Sequence, residues 1–137
     1  MVGASILIGS TTLTKFFLKN ASEYVELKKP EFICGAILHN RPRIVRTLIE
    51  MGINVNSVFD VGNSVFYEFH GYTPLHVAVA YGFEDIVKFL LNKGANIGAE
   101  GMHNYSPLHY AVIFGKIHNI YYILGPIIYK AIQYINS

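Results

Sequence analysis

The 137-residue chain is poor in charge and nearly free of cysteine. Only 15% of its residues are Asp, Glu, Lys or Arg, against 52% hydrophobic. Such a composition buries enough apolar surface to fold, so intrinsic disorder is excluded. The apolar fraction is high for a free-standing domain of this length. It points to a sticky surface, a bound partner or a place within something longer. Cys34 is the single cysteine, which rules out an internal disulfide and fits a reducing compartment. No Cys-x-x-Cys, His-Glu-x-x-His or comparable ligand spacing occurs, so the common metal sites are not expected. There is no glycine-rich phosphate loop; the glycines punctuate turns. Glu84 and Asp85 are adjacent, and no pair of carboxylates has a spacing suited to acid–base work. Cofactors and enzymatic activity are therefore not expected. MVGASILIGS at the N-terminus is apolar but lacks a positive n-region, so it does not read as a signal peptide.

Charge of either sign is scarce. The net charge is +2, with residues 1–56 at +3 and residues 57–137 at −1. That asymmetry is too mild for a nucleic-acid partner. Arg41, Arg43 and Arg46 make the only basic cluster and read as a solvated helix face.

What is present is a repeated phrase. TPLHVAVAYG (73–82) and SPLHYAVIFG (106–115) stand 33 residues apart. Under that shift Tyr72 meets Tyr105, Pro74 meets Pro107, Leu75 meets Leu108 and His76 meets His109. Ala78, Val79 and Gly82 meet Ala111, Val112 and Gly115, and His70 meets His103. A fixed period of this length is the mark of a repeat architecture. Each copy has the chemistry of a short helix. Thr73 or Ser106 caps its start, proline takes the first helical position, and Leu75, Ala78 and Val79 give one apolar face. A second helix follows in EDIVKFLLNK, with Glu84 and Asp85 favourable near its positive end. Ile86, Val87, Leu90 and Leu91 form its face, and Gly94 suits a left-handed stop.

The unit GYTPLHVAVAYGFEDIVKFLLNKGANI resembles an ankyrin repeat across almost its whole length. The Thr-Pro-Leu-His core, the glycine after the first helix, the Ile-Val and Leu-Leu pairs and the Gly-Ala-Asn turn are all present. The resemblance implies an all-α repeat solenoid: stacked helix–turn–helix ankyrin units joined by β-hairpin loops. An earlier unit, FICGAILHNRPRIVRTLIEMGINVN, aligns with a shift of 42, although Phe32 and Cys34 replace the family's Pro and His. Pro30 is the alternative helix start there. Further back, Leu13, Phe16 and Phe17 stand at i, i+3, i+4 and suggest the second helix of a decayed unit.

The expected divisions are 1–31, a degenerate N-terminal repeat or cap; 32–70, a degenerate repeat with a long hairpin finger; 71–103 and 104–125, ankyrin repeats; and 126–137, a C-terminal capping helix. The nine residues that separate a shift of 42 from one of 33 fall in SVFDVGNSVFYEFHG. There Gly62-Asn63 signals a hairpin pairing Phe59 with Phe66 and Val58 with Tyr67, so one finger is lengthened. Its aromatics either fold back onto the neighbouring finger or project as a contact surface. Gly125-Pro126 reads as a helix stop, and IIYKAIQYINS as a cap with one apolar face. Terminal units need caps with a polar outer face. A membrane span is not expected, because His118, Asn119, Pro126, Lys130 and Gln133 interrupt the apolar run.

The family pattern also assigns roles. His76 and His109 hold the structural histidine position that ties adjacent loops by hydrogen bonds, and Cys34 is a small buried residue. Contact positions fall on the fingers (Phe69, His70, Tyr72, Met102, His103, Tyr105) and at the ends of the first helices (Leu38, His39, Ala80, Tyr81, Ile113, Phe114). With Phe59, Phe66 and Tyr67 of the long finger they form an aromatic- and Met-rich set without Lys or Glu, the bias of a protein interface. The expected function is non-catalytic binding of a protein partner, with a cytoplasmic location. Alternatives are a structural or self-associating remnant of a larger ankyrin protein, and membrane-surface association through the C-terminal tail.

Overall fold

The computed structural model describes residues 2–20, 30–59 and 71–136. Among them the helices fall into four successive pairs: α1 (Val2–Ile8) with α2 (Thr11–Asn20), α3 (Pro30–Leu38) with α4 (Pro42–Glu50), α5 (Pro74–Tyr81) with α6 (Glu84–Asn92), and α7 (Pro107–Ile113) with α8 (Ile117–Ile135). The odd-numbered helices pack on one another in chain order, and so do the even-numbered ones. The result is a two-layer stack, with an inner row α1-α3-α5-α7 and an outer row α2-α4-α6-α8. No strand occurs among the described residues.

The caps are those the residues dictate. At α5 the Thr73 hydroxyl accepts the His76 N–H, and the His76 ring reaches back to the Thr73 N–H. Ser106 and His109 repeat this at α7. The inner helices end in a left-handed residue each time: Gly9 (φ 80°), Asn40 (φ 50°), Gly82 (φ 73°) and Gly115 (φ 66°). That conformation lets the chain reverse into the outer helix. Asn is the one non-glycine in the series, and it tolerates the region best.

The core lies between the layers and between units. Ile44, Leu48, Leu75, Val79, Ile86 and Leu90 are all essentially inaccessible. Cys34 is buried beside them.

Three expectations change. Gly125-Pro126 does not stop the last helix: α8 runs unbroken through Pro126 to Ile135. A proline costs one i→i−4 bond and clashes with the Cβ of the residue before it. Glycine at 125 has no Cβ, which removes half of that obstacle. The segment 126–137 is thus not a separate capping helix, and residues 131–136 are exposed throughout. In α2 two residues of the expected apolar face are turned outward: Leu13 and Phe16 are exposed, whereas Thr14 is fully buried. Thr14 is held by bonds to the Ser5 hydroxyl at 2.9 Å and the Ser10 carbonyl at 2.8 Å. Arg41 leaves the basic cluster, its Nη2 donating to the Leu7 carbonyl at 2.9 Å, while Arg43 and Arg46 stay exposed.

Candidate protein-binding face

The inner-helix ends supply the candidate site. Because the four left-handed residues mark one register, the two positions before each are equivalent: Leu7-Ile8, Leu38-His39, Ala80-Tyr81 and Ile113-Phe114. Leu7, Ile8, Tyr81, Ile113 and Phe114 are each about half exposed or more. They form an apolar row across the units that contains no Lys, Arg, Asp or Glu. The expectation from sequence began this row at Leu38. Leu7 and Ile8 extend it, and Gly9 was the signal that could have placed them.

Beside the row, aromatic side chains of two units interlock. The Tyr72 and Tyr110 rings meet edge-on at 5.2 Å, and the Tyr110 hydroxyl donates to that of Tyr72 at 2.5 Å. Tyr110 stacks on Phe114 at 5.9 Å and meets Tyr105 edge-on at 6.0 Å. Tyr81 stacks on Phe83 at 5.7 Å. Tyr72, His76, Val77, Ala80, Tyr81, Tyr110 and Phe114 line a groove of about 410 Å³. Burial pushes the Tyr110 hydroxyl pKa well above its usual value, and the bond to Tyr72 adds to it. Tyr110 therefore stays a neutral donor on the groove wall. It stands where the preceding unit has Val77, so the repeat pattern masked it.

His76 anchors this wall. Its Nε2–H donates to the Tyr105 carbonyl of the next unit at 2.8 Å. That leaves Nδ1 to accept the Thr73 N–H at 3.1 Å. Burial depresses its pKa, opposed by bonds to the backbone of Tyr105 and Ala99. The ring is thus a neutral crosslink between loops, as the family pattern implies. His109 repeats the local bonds to Ser106, at 3.0 Å and 2.8 Å, but its ring is exposed.

The remaining predicted contact residues are scattered. Tyr72 is half-buried and Tyr105 exposed. His103 is exposed at a tight turn, with φ 64°. Met102 lies in that same short helical turn. Phe66, Tyr67, Phe69 and His70, together with the Gly62-Asn63 hairpin, lie outside the described residues. Phe59 is a correction. It is 0% exposed and belongs to the core. Its N–H donates to the Tyr72 carbonyl at 2.8 Å and its carbonyl accepts the Gly71 N–H at 2.6 Å. Pairing with residues 71 and 72 closes the base of the loop with the ring turned inward; the expected pairing with Phe66 lies outside the described residues. Among the described residues no group of three or more His, Cys, Asp or Glu is placed to hold a metal. Among them, too, no helix is long and apolar enough to cross a membrane.

Comparison with known proteins agrees with the stack. The family description "Ankyrin repeats (3 copies)" matches residues 3–101 and 60–133. Ankyrin repeat protein FPV219 of Fowlpox virus (strain NVSL) is 37% identical over 67 residues, covering 49% of this chain and 13% of that protein. Ankyrin repeat protein FPV233 of the same virus is 38% identical over 66 residues, covering 47% of this chain and 11% of that protein. The chain thus spans a small part of the length of these relatives. Ankyrin repeats generally mediate protein–protein interaction, and the family description covers well over half of the residues: the chain belongs to the ankyrin repeat family.

Proposed function

We propose that the chain is a non-catalytic binding module whose protein partner lies across the inner-helix ends and the adjoining loops. The observation that carries this reading is the exposed apolar row Leu7-Ile8 to Ile113-Phe114, running over successive units beside the aromatic groove. Exposed apolar patches of this kind mark interaction surfaces. Aromatic side chains over a preformed groove are the usual anchors of a protein interface. Tyr81 and Phe114 are the anchors, Tyr72 and Tyr110 the fixed wall, and His103 and Tyr105 the rim. Nothing in this set resembles a nucleophile with its base, which favours recognition over catalysis.

The test is an affinity capture with mass spectrometry, followed by calorimetry on the purified partner. Three proteins are compared: the intact chain, the double variant Tyr81→Lys/Phe114→Lys, and a chain with residues 60–70 replaced by a short turn. Both lysine positions are exposed, so the stack survives. A partner lost at least tenfold in affinity by the double variant, and kept by the shortened chain, supports the reading. A partner held equally by the double variant refutes it.

A further inference from the structure

The outer row of helices gathers its cations in one place. Arg43 and Arg46 stand one turn apart on α4, and Lys88 stands on α6, which packs beside it. All three side chains are exposed. With Asp85 and Phe89 they line a groove of about 520 Å³ between the two helices. Phe89 is half-buried and holds cations against its ring. The Arg46 guanidinium lies over that ring at 5.1 Å, and the Lys93 Nζ lies over it at 5.7 Å. A guanidinium held on an aromatic face is already oriented, so it loses less freedom when it binds an anion. Four of the eleven Lys and Arg residues of the chain thus surround one groove. The one carboxylate that lines it is Asp85. Lys88 is partly answered, since its Nζ lies 3.4 Å from Glu84. Arg43 and Arg46 make no ion pair with any other described residue. Like charges one turn apart cost a helix a few tenths of a kcal/mol, and nothing among the described residues offsets that cost.

We propose that this groove docks an acidic segment of a partner protein, whose Asp or Glu side chains enter between α4 and α6. The argument is charge complementarity. A planar guanidinium matches a carboxylate through two parallel N–H bonds, and Arg43 and Arg46 offer two such forks on one helix face. Lys88 and Lys93 add point charges on the α6 side, and the Phe89 ring gives the methylenes of a glutamate an apolar floor. The concave form selects the class of ligand. A cleft of this volume holds a few side chains, whereas a flat bilayer reaches only its rim. A nucleic-acid backbone needs a basic stripe along its path, and a chain of net charge +2 with its outer cations confined to one groove does not supply one. The groove lies on the outer row and shares no residue with the inner-helix row. It is a second contact surface, and either reading can fail alone.

The experiment is fluorescence anisotropy of a rhodamine-labelled hexaglutamate peptide, titrated with the full chain in about 50 mM salt, where exposed charges are little screened. Hexaglutamine with the same label is the neutral reference. Three variants are run beside the wild type: Arg43→Gln/Arg46→Gln, Asp85→Asn, and Lys15→Gln/Lys19→Gln. The last removes two exposed charges from α2 and controls for net charge. Every substituted position is exposed, and circular dichroism checks that each variant is folded. The expected result is binding of hexaglutamate and not of hexaglutamine. The arginine variant should bind about fivefold more weakly or worse, Asp85→Asn about twofold more tightly, and the lysine variant as wild type. No binding of hexaglutamate overturns the proposal, as does an equal loss in the arginine and lysine variants. Octathymidylate or phosphatidylserine vesicles, bound through Arg43 and Arg46 in preference to hexaglutamate, overturn it in favour of a phosphate surface.

Discussion

His76→Ala and His109→Ala remove the same side chain from the same motif in two settings. The local bonds are alike: each ring nitrogen Nδ1 accepts the backbone N–H of the cap residue at 3.0–3.1 Å. Only His76 is buried, and only its Nε2 is bonded to a carbonyl of a following unit, Tyr105, at 2.8 Å. Truncating His109 removes an exposed part of a capping box, which costs about 0.5–1 kcal/mol. Truncating His76 leaves the buried Thr73 N–H without its acceptor and the Tyr105 carbonyl without its donor, and it opens a small cavity. Those losses together amount to about 2–4 kcal/mol, a large fraction of the roughly 5–15 kcal/mol that holds a domain together. Urea titration followed by circular dichroism measures both. Equal costs for the two variants would show that the stacking of the next unit contributes nothing, and the account of His76 as a crosslink would fall. The same residue sets a pH dependence. Burial places its folded pKa below the ordinary 6.5, so the unfolded chain binds the extra proton more readily. Stability contributed by the neutral ring is present above about pH 6.5 and is lost as the pH falls toward the depressed folded value. His76→Ala should flatten the slope of the urea midpoint between pH 7.5 and 5.

Three other outcomes are expected. Asn119 sits where earlier units place Ile44 and Ile86; it is 1% exposed, and its Oδ1 is buried without a hydrogen-bond donor. Its Nδ2 donates to the Val79 carbonyl at 3.3 Å, an oxygen that also receives the Gly82 N–H at 3.1 Å. Asn119→Ile should therefore raise stability by about 1–2 kcal/mol; a lower urea midpoint would contradict this. Leu90→Ala, at a fully buried position, should destabilise by ~2–4 kcal/mol, and a loss under about 1 kcal/mol would mean the register of α6 is misread. Cys34 is buried in α3, so a thiol reagent should label it only at the rate of unfolding; immediate labelling of the native protein would refute its placement.

Legibility in the sequence followed the chemistry of each segment. Where a cap, a proline and an apolar spacing agreed, as in 73–94 and 106–115, the elements and the crosslinking histidine could be read directly. Where local signals conflicted, the reading erred. Gly125-Pro126 looked like a stop because proline removes a bond, but the helix keeps its other bonds and glycine removes a clash. Leu13 and Phe16 looked like a core face because they are apolar at helical spacing, but Thr14 takes the buried position by bonding to Ser5 and Ser10. Phe59 looked like a finger residue because of its distance from Gly62-Asn63, but bonds to residues 71 and 72 turn it inward.

The candidate site divides in the same way. The repeat pattern located Tyr81, Ile113 and Phe114, because the left-handed residue that follows each inner helix is visible as glycine. It did not reach Tyr110, whose place in the groove depends on Tyr72 from the neighbouring unit. Nor did it show that Arg43 and Arg46 share a groove with Lys88. By itself the sequence determined the period, the caps, the inner and outer helices of the clear units, and the family. The stacking of units decided what lies on the surface: which histidine is buried, which aromatics share a groove, and which face of α8 is left exposed. Caps and helix faces depend on residues within a few positions of one another, whereas burial depends on which other unit arrives at the same face.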